Sequence, residues 1–216
     1  MPENFDTFHA LDSAKQKRIL DAALLEFAEK GFELASTNTI AKSAKIGKGM
    51  LFYYFGSKEQ LFDFLCAKTI AFANETYLAP FHPQTGDFLK RYQLFTQVKR
   101  KILAEYPLPS AFLELFYKKE NFPYITKYSA EVTYLREQIF SRIYENIDYS
   151  FFRPDIDGKA AMTYIKWIID SYQNDLVEQF KRGKIETLDE KAMAKEWQRF
   201  DNICRDMRKL FYKEDR

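Results

Sequence analysis

Between Leu34 and Lys58 this chain has no aspartate or glutamate, although its 216 residues carry 31 acidic and 33 basic side chains overall. A net charge of +2 does not by itself announce an anionic partner. The local gap is more telling, because Lys42, Lys45, Lys48 and Lys58 lie in or at the end of it and Lys15, Lys17 and Arg18 form a second basic cluster just upstream. A phosphate backbone is attracted to such a surface and would be repelled by carboxylates. A merely solvated basic face would have the same composition.

Other scarcities exclude whole classes of function. The only histidines are His9 and His82, the latter between Pro80 and Pro83. The two cysteines, Cys66 and Cys204, stand in no metal-binding or redox spacing and suit a reducing compartment. Gly-rich phosphate loops, paired metal ligands and nucleophile motifs are absent, so neither an enzyme nor a bound metal or cofactor is expected. No stretch approaches about eighteen uncharged apolar residues, so no membrane span is expected. Glu3 and Asp6 precede Lys15 with no apolar run between, unlike a secretion signal. The expected location is the cytoplasm.

What is present is helical. Away from Pro2, the prolines stand at 80, 83, 107, 109, 123 and 154, and they punctuate long runs of helix-forming residues. About nine helices are expected, near 13–30, 37–44, 48–54, 58–79, 84–105, 109–119, 123–149, 155–182 and 187–212. No segment alternates with a period of two, so no strands are expected and the class is all-α. In the first helix Ile19, Ala23 and Phe27 form an apolar stripe flanked by Leu20, Leu24 and Ala28, with Gly31 as the stop. Ser57 followed by Gln60 has the pattern of a capping box opening the fourth.

Three helices within about fifty residues, the second and third very short, form the pattern of a helix-turn-helix over about 36–55. Ser36 can cap the second helix, and Ile40, Ala41 and Ala44 give it a small apolar inner face. In the third, Leu51 and Phe55 are four apart and face inward. At about 100° per residue, Gly49 and Tyr53 then lie nearly opposite Leu51, with Met50 and Phe52 on the flanks and Lys48 at the positive N-terminus. Such a face suits a major groove and its phosphates.

The run Thr37–Leu61, TNTIAKSAKIGKGMLFYYFGSKEQL, closely resembles the N-terminal motif of the TetR family, and KRILDAALLEFAEKGF resembles its lead-in. The resemblance covers about residues 13–65; beyond it only the helix count and length agree. It implies a homeodomain-like DNA-binding domain over 1–62 and a larger helical domain for effector binding and dimerisation over 63–216. It also implies that Lys48, Gly49 and Met50 face bases, that Tyr53 and Tyr54 touch bases or phosphates, and that Lys58 contacts the backbone. Ser36, Thr37 and Phe52 complete the set expected at DNA. Two departures stand out: Phe52 replaces the usual tyrosine, and Lys45 replaces the usual glycine of the turn.

In the second domain Met193, Trp197, Phe200, Cys204 and Met207 step by fours and threes along the last helix, and Ile165, Ile169 and Tyr172 mark the preceding one. With the resemblance they predict a homodimer seam, although packing within one chain would use the same spacing. Phe112, Phe116, Tyr117, Tyr134, Tyr164 and Trp167 are candidates for an effector pocket, which suits an apolar or aromatic molecule. The expected function is a sequence-specific regulator of transcription, a repressor released from an inverted-repeat operator by its effector. The alternatives are a DNA-binding regulator or nucleoid-associated protein without an effector, an all-helical enzyme with a DNA-binding appendage, and a protein-interaction module.

Overall fold

The computed structural model describes residues 5–117, 122–181 and 190–213. Among these the secondary structure is helical apart from one antiparallel bridge between Phe152 and Tyr212. The helices are α1 (Asp6–His9), α2 (Ser13–Leu34), α3 (Thr37–Ser43), α4 (Lys48–Phe55), α5 (Lys58–Ala73), α6 (Phe88–Glu105), α7 (Pro107–Leu113), α8 (Phe122–Ile125), α9 (Ser129–Tyr144), α10 (Gly158–Lys181) and α11 (Glu190–Phe211). Each expected helix has a counterpart. The expected 58–79 segment changes at Asn74 into a π-turn, and the 123–149 segment breaks into α8, a 3-10 turn and α9. No helix among the described residues is long and apolar enough to cross a membrane.

Side-chain caps set most of the helix starts. Asp12 accepts a hydrogen bond from the Lys15 amide (2.8 Å), Asp87 from Lys90 (3.0 Å), Ser57 from Gln60 (3.1 Å) and Asp157 from Ala160 (2.8 Å). Gly31, at φ 68°, interrupts α2 where the sequence places a stop.

The described chain falls into two compact units. The first comprises Met1–Glu75 and Leu108–Tyr134, so it extends past residue 62 to take in all of α5 and the α7–α8 region. Its core is rich in aromatics: Phe27 and Phe32 each meet Phe62 edge to face, Phe112 lies tilted against Phe62, and Phe8 closes over Phe55 (4.8 Å between centroids) and Phe64 (5.4 Å). The second unit comprises Thr76–Pro107 and Leu135–Arg216. Here α11 packs on α6 and α10 around Phe88, Tyr92, Phe95, Ile165, Ile169, Phe200 and Met207. Each unit holds one buried thiol, Cys66 in the first and Cys204 in the second. Burial pushes both upward in pKa, Cys204 to about 12.

Arg91 organises the second unit. Its side chain is buried on α6 and donates to the carbonyls of Thr85, Arg142 (3.0 Å), Glu145 and Asn146 (3.2 Å), satisfying the loose C-terminal end of α9. One turn earlier on α6, Arg208 of α11 pairs with the capping residue Asp87 (2.7 Å), and the Tyr212 hydroxyl accepts from the Leu89 amide (2.9 Å). Arg91→Met removes the donor shared by four partly buried carbonyls. It is expected to lower the unfolding free energy by about 3 kcal/mol, read as a shifted urea midpoint at unchanged slope.

Candidate nucleic-acid interface

Helices α3 and α4 of the first unit meet through a turn closed by backbone hydrogen bonds. After α3 the Lys45 amide donates to the Lys42 carbonyl (3.1 Å) and the Ile46 amide to Ala41 (3.0 Å). This pair of bonds is a Schellman motif, and it requires a left-handed residue at Lys45, where φ is 56°. The carbonyl of Ala44 receives a long bond from Arg18 (3.5 Å), which ties the turn back to α2. The lysine that replaces the usual glycine therefore sits in strained backbone. Lys45→Gly is expected to raise stability by up to about 1 kcal/mol, net of the added freedom of the unfolded chain, as measured by thermal unfolding.

From this turn α4 rises with two distinct faces. Leu51, Tyr54 and Phe55 are buried against the core; Lys48, Gly49, Met50, Phe52 and Tyr53 are exposed, with Tyr53 at 64% the most open of the apolar ones. Gly49 is instructive: a Cβ built there meets nothing within 4 Å, so the fold itself has no need of glycine. Its absent side chain leaves bare helix backbone on the outer surface, available for close approach by something else. Lys42, Lys45 and Lys48 are exposed around the same turn and form no ion pair among the described residues, while Lys48 lies over the Phe52 ring (5.9 Å). Ser36 and Thr37 are half-buried at the start of α3, and the Ser36 hydroxyl accepts from the Thr39 amide (3.4 Å).

Two of the residues expected at DNA are placed otherwise. Tyr54 is only 4% exposed; its ring packs on Phe8, and Lys15 lies 5.8 Å from its centre. The reason was readable in the sequence, since Tyr54 is three residues from Leu51 and shares its face. Lys58 donates to the Glu33 carbonyl (3.0 Å) and covers the Phe32 ring (4.8 Å). This contact places its charge at the C-terminal end of α2 and uses one of its three N–H donors. Sequence reasoning missed Phe5 and Phe8, whose i, i+3 spacing in the acidic N-terminal segment is the one available signal.

The residues expected in the second domain also need revision. Ile165, Ile169, Tyr172, Met193, Phe200, Cys204 and Met207 are all buried within a single chain, and Trp197 is half-buried beside Leu103 and Met193. The stripe is consumed by α6 and α10 of its own chain and is not left open for a second copy, as a dimer seam would require. What α10 and α11 leave exposed is Tyr164 (44%), Trp167 (62%) and Leu210 (57%), with the Tyr164 ring 5.8 Å from that of Trp167 and 6.2 Å from that of Phe211.

The six pocket candidates are not gathered in one place. Phe112 is core in the first unit, Phe116 packs partly against that core, and Tyr134, Tyr164 and Trp167 are exposed; the side chain of Tyr117 lies outside those described. A cavity of about 490 Å³ in the first unit, between α2 and α5, is lined by Leu20, Leu24, Leu65, Phe72 and Pro109 together with charged residues, and by none of the six. No group of three or more metal-ligating side chains stands together among the described residues.

Comparison with known proteins agrees with this geometry. The profile of the bacterial regulatory proteins of the tetR family matches residues 19–64. The transcriptional regulator RutR of Escherichia coli is 34% identical over 100 residues, which is 45% of each chain, so the match spans less than half the length of that relative. The transcriptional repressor AcnR of Corynebacterium glutamicum is 24% identical over 161 residues, covering 73% of this chain and 79% of that one. A crystal structure of a TetR family regulator from Chloroflexus aurantiacus superposes with a TM-score of 0.58 over 97% of this chain and 98% of that one, at 18% identity, and so shares its fold. Neither the family nor these relatives are enzymes. The acid-free, turn-linked helix pair lies within residues 19–64, the part of the chain that matches the bacterial regulatory proteins of the tetR family.

Proposed function

We propose that this chain is a homodimeric, sequence-specific DNA-binding repressor whose DNA-binding part lies in residues 1–62 and whose effector-binding and dimerisation part lies in 63–216. The observation that carries the reading is the outer face of α4, where Lys48, Gly49, Met50, Phe52 and Tyr53 stand exposed beside Lys42 and Lys45 with no carboxylate among them. Repression, as opposed to activation, is supported by the likeness to AcnR.

In this reading α4 enters the major groove. Lys42, Lys45 and Lys48 meet phosphates, while Met50, Phe52 and Tyr53 supply apolar contact suited to thymine methyl groups. Ser36 and Thr37 approach the backbone from the start of α3. Gly49 lets the helix axis come close. Release by an effector follows from linkage: a ligand that favours a conformation with the two recognition helices misplaced lowers DNA affinity by the same factor by which DNA weakens the ligand. The dispersal of the six aromatic candidates favours the second reading, a DNA-binding regulator or nucleoid-associated protein that senses no small molecule.

The operator test begins with selection of duplexes by the full-length protein; an inverted repeat is expected, because a two-fold dimer presents one surface twice. Lys48→Ala should weaken binding to all sequences alike and reduce the salt slope by about one for each phosphate left without its ammonium. Tyr53→Ala should relax preference at one or two positions in each half-site, at a cost of about 1–3 kcal/mol. A base preference altered by the lysine change, or a uniform loss from the tyrosine change, would reverse this division of labour.

The dimer test uses the surface that the single chain leaves uncovered. Trp167→Glu places a charge in the exposed patch of Tyr164, Trp167 and Leu210, and sedimentation should then report monomer. A variant that remains dimeric at the same affinity moves the interface elsewhere.

A further inference from the structure

The cavity between α2 and α5 lies wholly within the first unit. Its apolar walls are Leu20 and Leu24 of α2, Leu65 and Phe72 of α5, and Pro109 of α7, with Thr69 of α5 set among them. Elsewhere this unit is filled by rings such as those of Phe27, Phe62 and Phe112. Along the gap α5 offers the small side chains of Thr69 and Ala71, which do not close it, and about 490 Å³ is left between the helices. Sites for small molecules span about 300–1,000 Å³, so the space is large enough for one.

Thr69 is the one buried polar residue in this lining, at 3% exposed. A threonine inside a helix can return its hydroxyl to the carbonyl four residues back, as Thr96 does to Tyr92 (3.0 Å) and Thr163 to Lys159 (2.9 Å). The Thr69 hydroxyl forms no hydrogen bond with any described residue. A buried hydroxyl without a partner is costly, so this one is left for whatever occupies the cavity. The charged residues of the lining balance one another. Lys17 pairs with Asp21, and exposed Lys68 is matched in sign by exposed Glu75. The amide of Gln16 is taken up by the carbonyls of His9 (3.0 Å) and Leu11 (2.8 Å).

We infer that this cavity is a binding site for a small uncharged aromatic alcohol, whose ring lies against Leu20, Leu24, Leu65 and Phe72 and whose hydroxyl meets that of Thr69. A hydroxyl both donates and accepts, so two of them pair in either sense. An anion would need a cation inside the walls and a cation would need a carboxylate there; the lining holds two of each, in balance, and none of them is buried. The apolar walls supply most of the binding, and Thr69 supplies the orientation. The site lies on the unit that carries α4, and it stands whether or not the reading of α4 as a DNA-binding helix does.

The test is equilibrium dialysis of the full chain against 2-naphthol, with 2-naphthoate, 2-naphthylmethylammonium and 2-methylnaphthalene as companions of the same ring. The expected result is that 2-naphthol binds more tightly than either ion. Thr69→Val keeps a similar shape without the hydroxyl; it should weaken 2-naphthol by about two- to tenfold and leave 2-methylnaphthalene unchanged, whereas Thr69→Ser should bind 2-naphthol as the parent does. Ala71→Trp fills the gap from an exposed position and should abolish binding of both neutral compounds. Because it leaves the core untouched, it keeps the test decisive if Thr69→Val does not fold. An ion bound as tightly as 2-naphthol, 2-naphthol affinity unchanged in Thr69→Val, or binding retained in Ala71→Trp overturns the assignment.

Discussion

Everything that α4 can do depends on how its inner face is held down. The helix is eight residues long, too short to persist in water by itself. It exists because Leu51, Tyr54 and Phe55 are pressed into an aromatic cluster whose far side is closed by Phe8 and Phe64. The turn before it is equally constrained, since two reverse-turn bonds and a left-handed lysine fix the angle at which the helix leaves. A hydrophobic clamp on one side therefore determines which five residues are offered on the other. Met50, Phe52 or Tyr53 can change without touching the fold, whereas a change at Tyr54 would be felt in the core.

Most of this arrangement was legible in the residues. Helix spans followed from proline placement and caps, and the inward set of α4 followed from spacing. Tyr54 is the exception there: the family pattern puts it at DNA, but its i, i+3 relation to Leu51 puts it in the core, and the core wins. The stripe on α11 shows the limit of such reasoning. Spacing by threes and fours tells that a helix face is buried, but not whose side chains bury it. Here α6 supplies the neighbour, from a region about a hundred residues away in sequence, as the Arg100–Asp201 pair illustrates.

The second unit handles its cations in contrasting ways. Arg91 neutralises the exposed carbonyls at the end of α9 and is worth its desolvation because four acceptors converge on it. Arg208 joins the N-terminal cap of α6 to α11 by pairing with Asp87, itself the capping residue. These contacts tie remote parts of the unit together through groups that would otherwise be left unpaired.

The placement of the two thiols gives each unit its own clock. Cys66 and Cys204 are buried and held as neutral thiols, so an alkylating reagent meets neither until the surrounding helices part. Because one belongs to each unit, the rate at which each is modified in the folded protein measures the opening of that unit alone. A regulator whose halves open independently would label at two unrelated rates. One whose halves move together would slow both thiols when either half is occupied, and the chain thus carries a native reporter of whether its two parts communicate.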